Sequence, residues 1–79
     1  MKIEVLGTGC ARCAQLYDNT LLAASAVDSS IEIIKVGDVN YFTQKGVFMT
    51  PGLLIDGEVI SVGKVLSVEE IKAKIKENI

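Results

Sequence analysis

Leu6-Gly7-Thr8-Gly9-Cys10-Ala11-Arg12-Cys13 joins two segments of different periodicity. Before it, Lys2 to Leu6 places Ile3, Val5 and Leu6 in a run long enough for one strand. Behind it, Cys13, Leu16, Tyr17, Leu21, Ala24 and Val27 recur at the 3.6-residue period of a helix, and the alanines raise its propensity. Gly7 and Gly9 break the strand and leave the approach to Cys10 open. The spacing predicts a strand, a tight loop and a helix over Ala11–Val27, with the two cysteines at the helix start.

The remaining punctuation extends this unit in one direction. Asp28-Ser29-Ser30 ends the helix with turn chemistry, and Ile31 to Val36 is β-branched enough to form a second strand. Asp38 caps a short helix from about Val39 to Lys45, which Gly46 closes. Leu53-Leu54-Ile55 and Val59-Ile60-Ser61-Val62 flank Asp56-Gly57, a hairpin signal because both central residues of a type I′ turn need positive φ. Ser67-Val68-Glu69-Glu70 is a capping box, followed by an apolar helical face of Val68, Ile71, Ile75 and Ile79. The order is β-α-β-α-β-β-α. A strand-helix-strand unit favours a parallel pair and the hairpin adds an antiparallel one, so the expectation is an α/β fold with a mixed four-stranded sheet and three flanking helices. With no linker, repeat or low-complexity stretch, residues 1–79 read as a single domain.

Composition removes several classes of function. Hydrophobic residues make up 49% and charged residues 23% of the 79, which suits a packed core rather than disorder. The net charge is -2 and the eight basic residues are scattered, so no concentrated positive field exists for nucleic acid. Histidine is absent, which excludes Ser-His-Asp and Cys-His catalysis and two-His metal sites. No apolar run approaches the ~20 residues of a membrane span, and Met1-Lys2-Ile3-Glu4 leads into no signal-peptide core. The expectation is a soluble cytoplasmic protein with no membrane association and no cofactor.

Cys10 and Cys13 are the only cysteines, and a pair at this spacing in such a chain points to redox or metal chemistry. On a helix their Cβ atoms would stand about 5–6 Å apart, so a modest adjustment closes a disulfide. Near the helix N-terminus, unpaired N–H groups and the dipole favour the Cys10 thiolate, and Arg12 adds positive charge beside it. Cys10 is then the attacking sulfur and Cys13, one turn inward, the resolving one. Glu4 is a proton acceptor for Cys13 if it points inward; otherwise it faces solvent or the sheet edge. Tyr17 reads as a packing residue, and Lys45 and Lys64 as surface charges.

The Gly7–Cys13 motif after a first strand, together with Thr50-Pro51-Gly52-Leu53-Leu54-Ile55-Asp56-Gly57 opening a hairpin, resembles the thioredoxin superfamily, and within it the short glutaredoxin-like redox-active disulfide proteins. The resemblance runs from Lys2 to the last helix. It implies a thioredoxin-like fold and a protein-disulfide oxidoreductase with Cys10 as nucleophile and Cys13 as resolving thiol. It also implies a cis peptide at Thr50-Pro51, with Thr50 backbone groups receiving the substrate chain, and Ala11 and Arg12 tuning the thiolate. Implied partners are disulfide-containing client proteins and a thioredoxin-reductase-like electron donor. Ala11-Arg12 is neither the Gly-Pro of thioredoxins nor the Pro-Tyr of glutaredoxins, so the reduction potential does not carry over. No Trp precedes Cys10, so the aromatic beside the thioredoxin active site is missing. Val62-Gly63-Lys64-Val65 lacks the Gly-Gly-x-Asp-Asp type of segment with which glutaredoxins hold glutathione, which leaves glutathione doubtful as the reductant. Gly46 to Thr50 supplies apolar surface better suited to a polypeptide.

Two rival readings come from other classes. A metal-binding module would use the two thiolates for Cu(I), or for zinc with two further ligands. Heavy-metal-associated domains of similar length carry a C-x-x-C, but their order ends on a strand whereas Ser67–Ile79 reads as a helix. A non-catalytic redox sensor or interaction protein would keep the disulfide without turnover. Nothing demands a dimer, and a monomer is expected.

Overall fold

A computed structural model describes residues 1–79. The elements are β1 (Lys2–Leu6), α1 (Ala11–Val27), β2 (Glu32–Val36), α2 (Val39–Gln44), β3 (Gly52–Ile55), β4 (Glu58–Val62) and α3 (Val68–Glu77). The sheet order is β2-β1-β3-β4, with β1 parallel to β2 and antiparallel to β3, and β3 antiparallel to β4. The two central strands, β1 and β3, are the two that are buried on both faces. Ile3 to Leu6 and Gly52 to Ile55 are all buried, because helices cover the sheet on either side.

Strand alternation divides the core. Ile3, Val5, Leu53 and Ile55 project to one face and pack with Leu16, Ala23 and Ala24 of α1 and Ile71 and Ile75 of α3. Leu6 and Leu54 project to the other, against Phe42 of α2 and Val47. The larger cluster anchors the long helix that carries the cysteines, so the site stands on the most deeply packed part of the molecule. Asn19 Nδ2 adds a polar tie from α1 to the Leu66 carbonyl at 3.0 Å.

The turns follow the chemistry of their residues. Asp56 has φ 49° and Gly57 φ 84°, the two positive values the hairpin requires. Across that hairpin, Leu53 pairs with Ser61 and Leu54 with Val59, so Ile60 is the extra residue of a bulge. Asp38 caps α2 through the Asn40 N–H at 2.9 Å, and both bonds of the Ser67/Glu70 capping box are present.

Three side chains depart from the sequence reading. Leu21 is exposed while Thr20 is buried, because Thr20 rather than Leu21 falls on the stripe of Cys13, Leu16, Ala23 and Ala24. The polar atom is satisfied inside the helix, where Thr20 Oγ1 donates to the Leu16 carbonyl at 2.7 Å. Ile79 lies beyond the end of α3 and is 80% exposed, so the buried face of that helix ends at Ile75. Glu4 faces neither solvent nor a sheet edge: β1 is an interior strand and Glu4 is 4% exposed.

Candidate active site

β1 delivers the chain to the site along its pairing with β2, which the Gly7 N–H extends by one bond to the Val36 carbonyl at 3.0 Å. Gly9 turns the loop with φ 89°, a left-handed value suited to glycine. Cys10 then stands as the N-cap of α1 in extended conformation, and its sulfur accepts from the Cys13 N–H at 3.3 Å. A cysteine thus occupies the position usually taken by Ser, Thr, Asp or Asn, so a sulfur caps the start of α1.

The two sulfurs are 2.7 Å apart and both are free thiols. They are unequal in access, since Cys10 is exposed and Cys13 only 5% exposed. The Cys13 thiol, directed at Cys10 Sγ, is the largest influence holding the Cys10 thiol below its ordinary value. The Cys13 N–H comes next, with smaller help from the N–H groups of Arg12 and Cys10, and partial burial opposes them. Removing the first cause in a Cys13→Ala variant moves the midpoint of Cys10 alkylation by iodoacetamide upward, lowering the thiolate fraction at neutral pH. An unchanged midpoint in rate-against-pH measurements would contradict this account of the lowered value.

Arg12 acts on the site differently from a nearby free charge. Its guanidinium donates to the Gly63 carbonyl at 2.7 Å, and the Gly63 N–H donates to the Pro51 carbonyl at 2.8 Å. This relay ties the first turn of α1 to the start of β3. Ala11 is the exposed first residue of the helix and presents only a methyl group. The relay was not visible in the sequence, because Gly63 lies 51 residues from Arg12 and its carbonyl has no side-chain signature.

Thr50-Pro51 is a cis peptide and Pro51 is buried. Leu6 pairs with Gly52, so Pro51 lies one residue further on, beside Gly7 at the cysteine end of the sheet. Thr8 and Thr50 share a groove with Val39, Phe42 and Phe48. Phe48, 78% exposed, gives the groove an apolar lip, while Met49, 64% exposed, lies beside Gly63. On the other side of the cysteines, Gly7, Cys13 and Lys35 line a second cleft of about 440 Å³, where Lys35 Nζ sits 4.5 Å from the Tyr17 ring centroid.

Glu4 is not part of this assembly. It projects with Leu6 toward α2, whereas Cys13 packs beside Gly7 on the α1 face. Its carboxylate accepts from the Tyr41 hydroxyl, and Lys2 Nζ is 3.9 Å away. The bond to Glu4, then burial, then the Glu4 charge raise the Tyr41 hydroxyl above its ordinary value. No cluster of three or more His, Cys, Asp or Glu side chains gathers anywhere in the molecule, so two soft sulfurs are the whole donor set at the cysteines.

The geometry matches what comparison with known proteins finds. A family model described as the thioredoxin domain matches residues 1–76. A thioredoxin of Methanocaldococcus jannaschii is 43% identical over 74 residues, covering 94% of this chain and 85% of the relative. A thioredoxin of Methanothermobacter thermautotrophicus is 39% identical over 72 residues, covering 91% and 94%. Among solved structures, thioredoxin 1 of Thermosipho africanus superposes with a TM-score of 0.68 at 28% identity, over 99% of this chain and 93% of that one. A capped helix presenting a C-x-x-C pair, beside a cis proline on a mixed four-stranded sheet, is the arrangement of a thiol–disulfide oxidoreductase, and the chain belongs to the thioredoxin family.

Proposed function

We propose that Cys10 is the nucleophile and Cys13 the resolving thiol in the reduction of protein disulfides by a single thioredoxin domain spanning residues 1–79. The observation that carries this assignment is the pairing of an exposed, hydrogen-bonded sulfur with a buried one 2.7 Å away. Cys10 thiolate attacks a client sulfur, forming the Cys10–client bond and expelling the other client sulfur as thiolate. Cys13 gives its proton to the expelled client thiolate and attacks Cys10 Sγ, forming the Cys10–Cys13 disulfide and releasing the second client sulfur as thiolate, which takes up a proton from water. The client disulfide gains two electrons and the cysteine pair loses them.

Thr50, followed by the buried Pro51, borders the groove that receives the client chain, and the exposed Phe48 on its lip favours an apolar client segment. Arg12 and Ala11 shape the first turn, Arg12 through the Gly63–Pro51 relay. The reduced pair is restored by a thioredoxin-reductase-like donor, and the protein works as a monomer in the cytoplasm. No helix is long and apolar enough to cross a membrane. Supplied with dithiothreitol, the protein should reduce the interchain disulfides of insulin faster than dithiothreitol alone, followed by turbidity. A rate equal to the reagent alone would overturn the reading.

A further inference from the structure

Gly7 is a glycine whose backbone does not require one. Gly9, Gly46, Gly57 and Gly63 adopt positive φ, and Gly7 does not. Its N–H is committed to the Val36 carbonyl at 3.0 Å, which holds the backbone in line with β1. What distinguishes Gly7 is its neighbour. A Cβ at this position would stand 2.5 Å from Cys13 Sγ and 2.7 Å from Cys13 Cβ, against an ordinary carbon contact of about 3.5–4.0 Å. Gly9, two residues on, would meet nothing within 4 Å.

Cys13 has little freedom to yield. Its N–H bonds Cys10 Sγ at 3.3 Å and the Ala14 N–H bonds the Cys10 carbonyl at 3.0 Å, so the first turn of α1 is closed on both sides of it. Rotation about the Cα–Cβ bond carries the sulfur away from position 7 but leaves Cβ where it is. Any rotation that relieves the sulfur also moves it from the place where it meets Cys10.

We propose that Gly7 is a positioning residue for the exchange reaction: its missing side chain is the space in which the Cys13 sulfur reaches Cys10. This rests on Cys13 being the resolving thiol. The consequence is asymmetric between redox states. In the dithiol, Cys13 Sγ can turn aside from a methyl group at position 7; in the disulfide, its bond to Cys10 fixes it there. Added bulk at position 7 therefore disfavours the oxidised form more than the reduced one and slows the step that closes the disulfide.

The test is Gly7→Ala in the full chain. Equilibrated with glutathione redox buffers, the variant should show a disulfide-formation constant lower by at least about tenfold, equivalent to a potential about 30 mV more oxidising. Release of a client held on Cys10 should slow by a similar factor. A purely structural effect, equal in the two redox forms, would lower the urea midpoint and leave this constant alone. If Gly7→Ala does not fold, the same substitution is made in a Cys13→Gly background, which removes both atoms it would strike. There the substitution should be tolerated, giving a folded protein with a urea midpoint close to that of Cys13→Gly alone, and failure to fold there as well overturns the proposal. An unchanged constant and release rate in a folded variant, with wild type competent, overturn Gly7's role alone. Failure of wild type to form the disulfide at all would instead bring down the exchange reading and this role with it.

Discussion

Cys10→Ser should lose protein-disulfide reduction by at least about 1000-fold, the scale on which removal of a nucleophile acts. A serine hydroxyl does not ionise near neutral pH, so the hydrogen bonds that favour a thiolate at the N-cap have no anion to stabilise. Cys13 cannot substitute, because it is 5% exposed and its sulfur is packed against Gly7. Cys13→Ser should fail differently. Cys10 remains exposed and keeps the backbone N–H groups directed at it, so the first attack proceeds and the client stays attached. Stopped-flow or turbidity assays give the first result, and non-reducing electrophoresis the second. Both variants should unfold near the wild-type reduced midpoint, which separates loss of chemistry from loss of fold.

Leu53→Ala should cost about 2–5 kcal/mol, the range for emptying a packed aliphatic site. Leu53 is fully buried on central strand β3 and lies in the cluster shared by β1, α1 and α3. Its neighbours come from three elements held by their own hydrogen bonds, so the cavity cannot collapse freely. Whole domains are stable by only about 5–15 kcal/mol, and one this short sits toward the lower end. The variant should therefore lose a large share of its stability, read as a lower midpoint in urea with an unchanged slope. A shift below about 1 kcal/mol would show that the sheet is less tightly packed against α1 and α3 than described. The same substitution at Leu21, which is exposed on α1, should change the midpoint little.

Most of the architecture was legible because local signals agreed with one another. Asp56-Gly57 fixed a hairpin, the Ser67/Glu70 box fixed the start of α3, and the change of period across Gly7–Cys13 separated β1 from α1. The cysteine pair was legible as chemistry from its spacing alone. What escaped were features set by which elements become neighbours. Glu4 looks like an edge or surface residue until β1 is placed at the centre of the sheet, where Tyr41 supplies its partner from 37 positions away. Gly7 looks like turn punctuation, yet its reason is the sulfur opposite it. Arg12 looks like a free charge, yet it bonds a carbonyl on the loop after β4. Each is a tertiary relation with no periodic trace in the chain.

The most direct test of Cys10 as the attacking sulfur is intact-mass measurement of the two single-cysteine variants after mixing with an oxidised client. Cys13→Ser should show the summed mass of protein and client, reversed by dithiothreitol, and Cys10→Ser should show none. An adduct on Cys10→Ser with none on Cys13→Ser would contradict the assignment and make the buried sulfur the one that reacts.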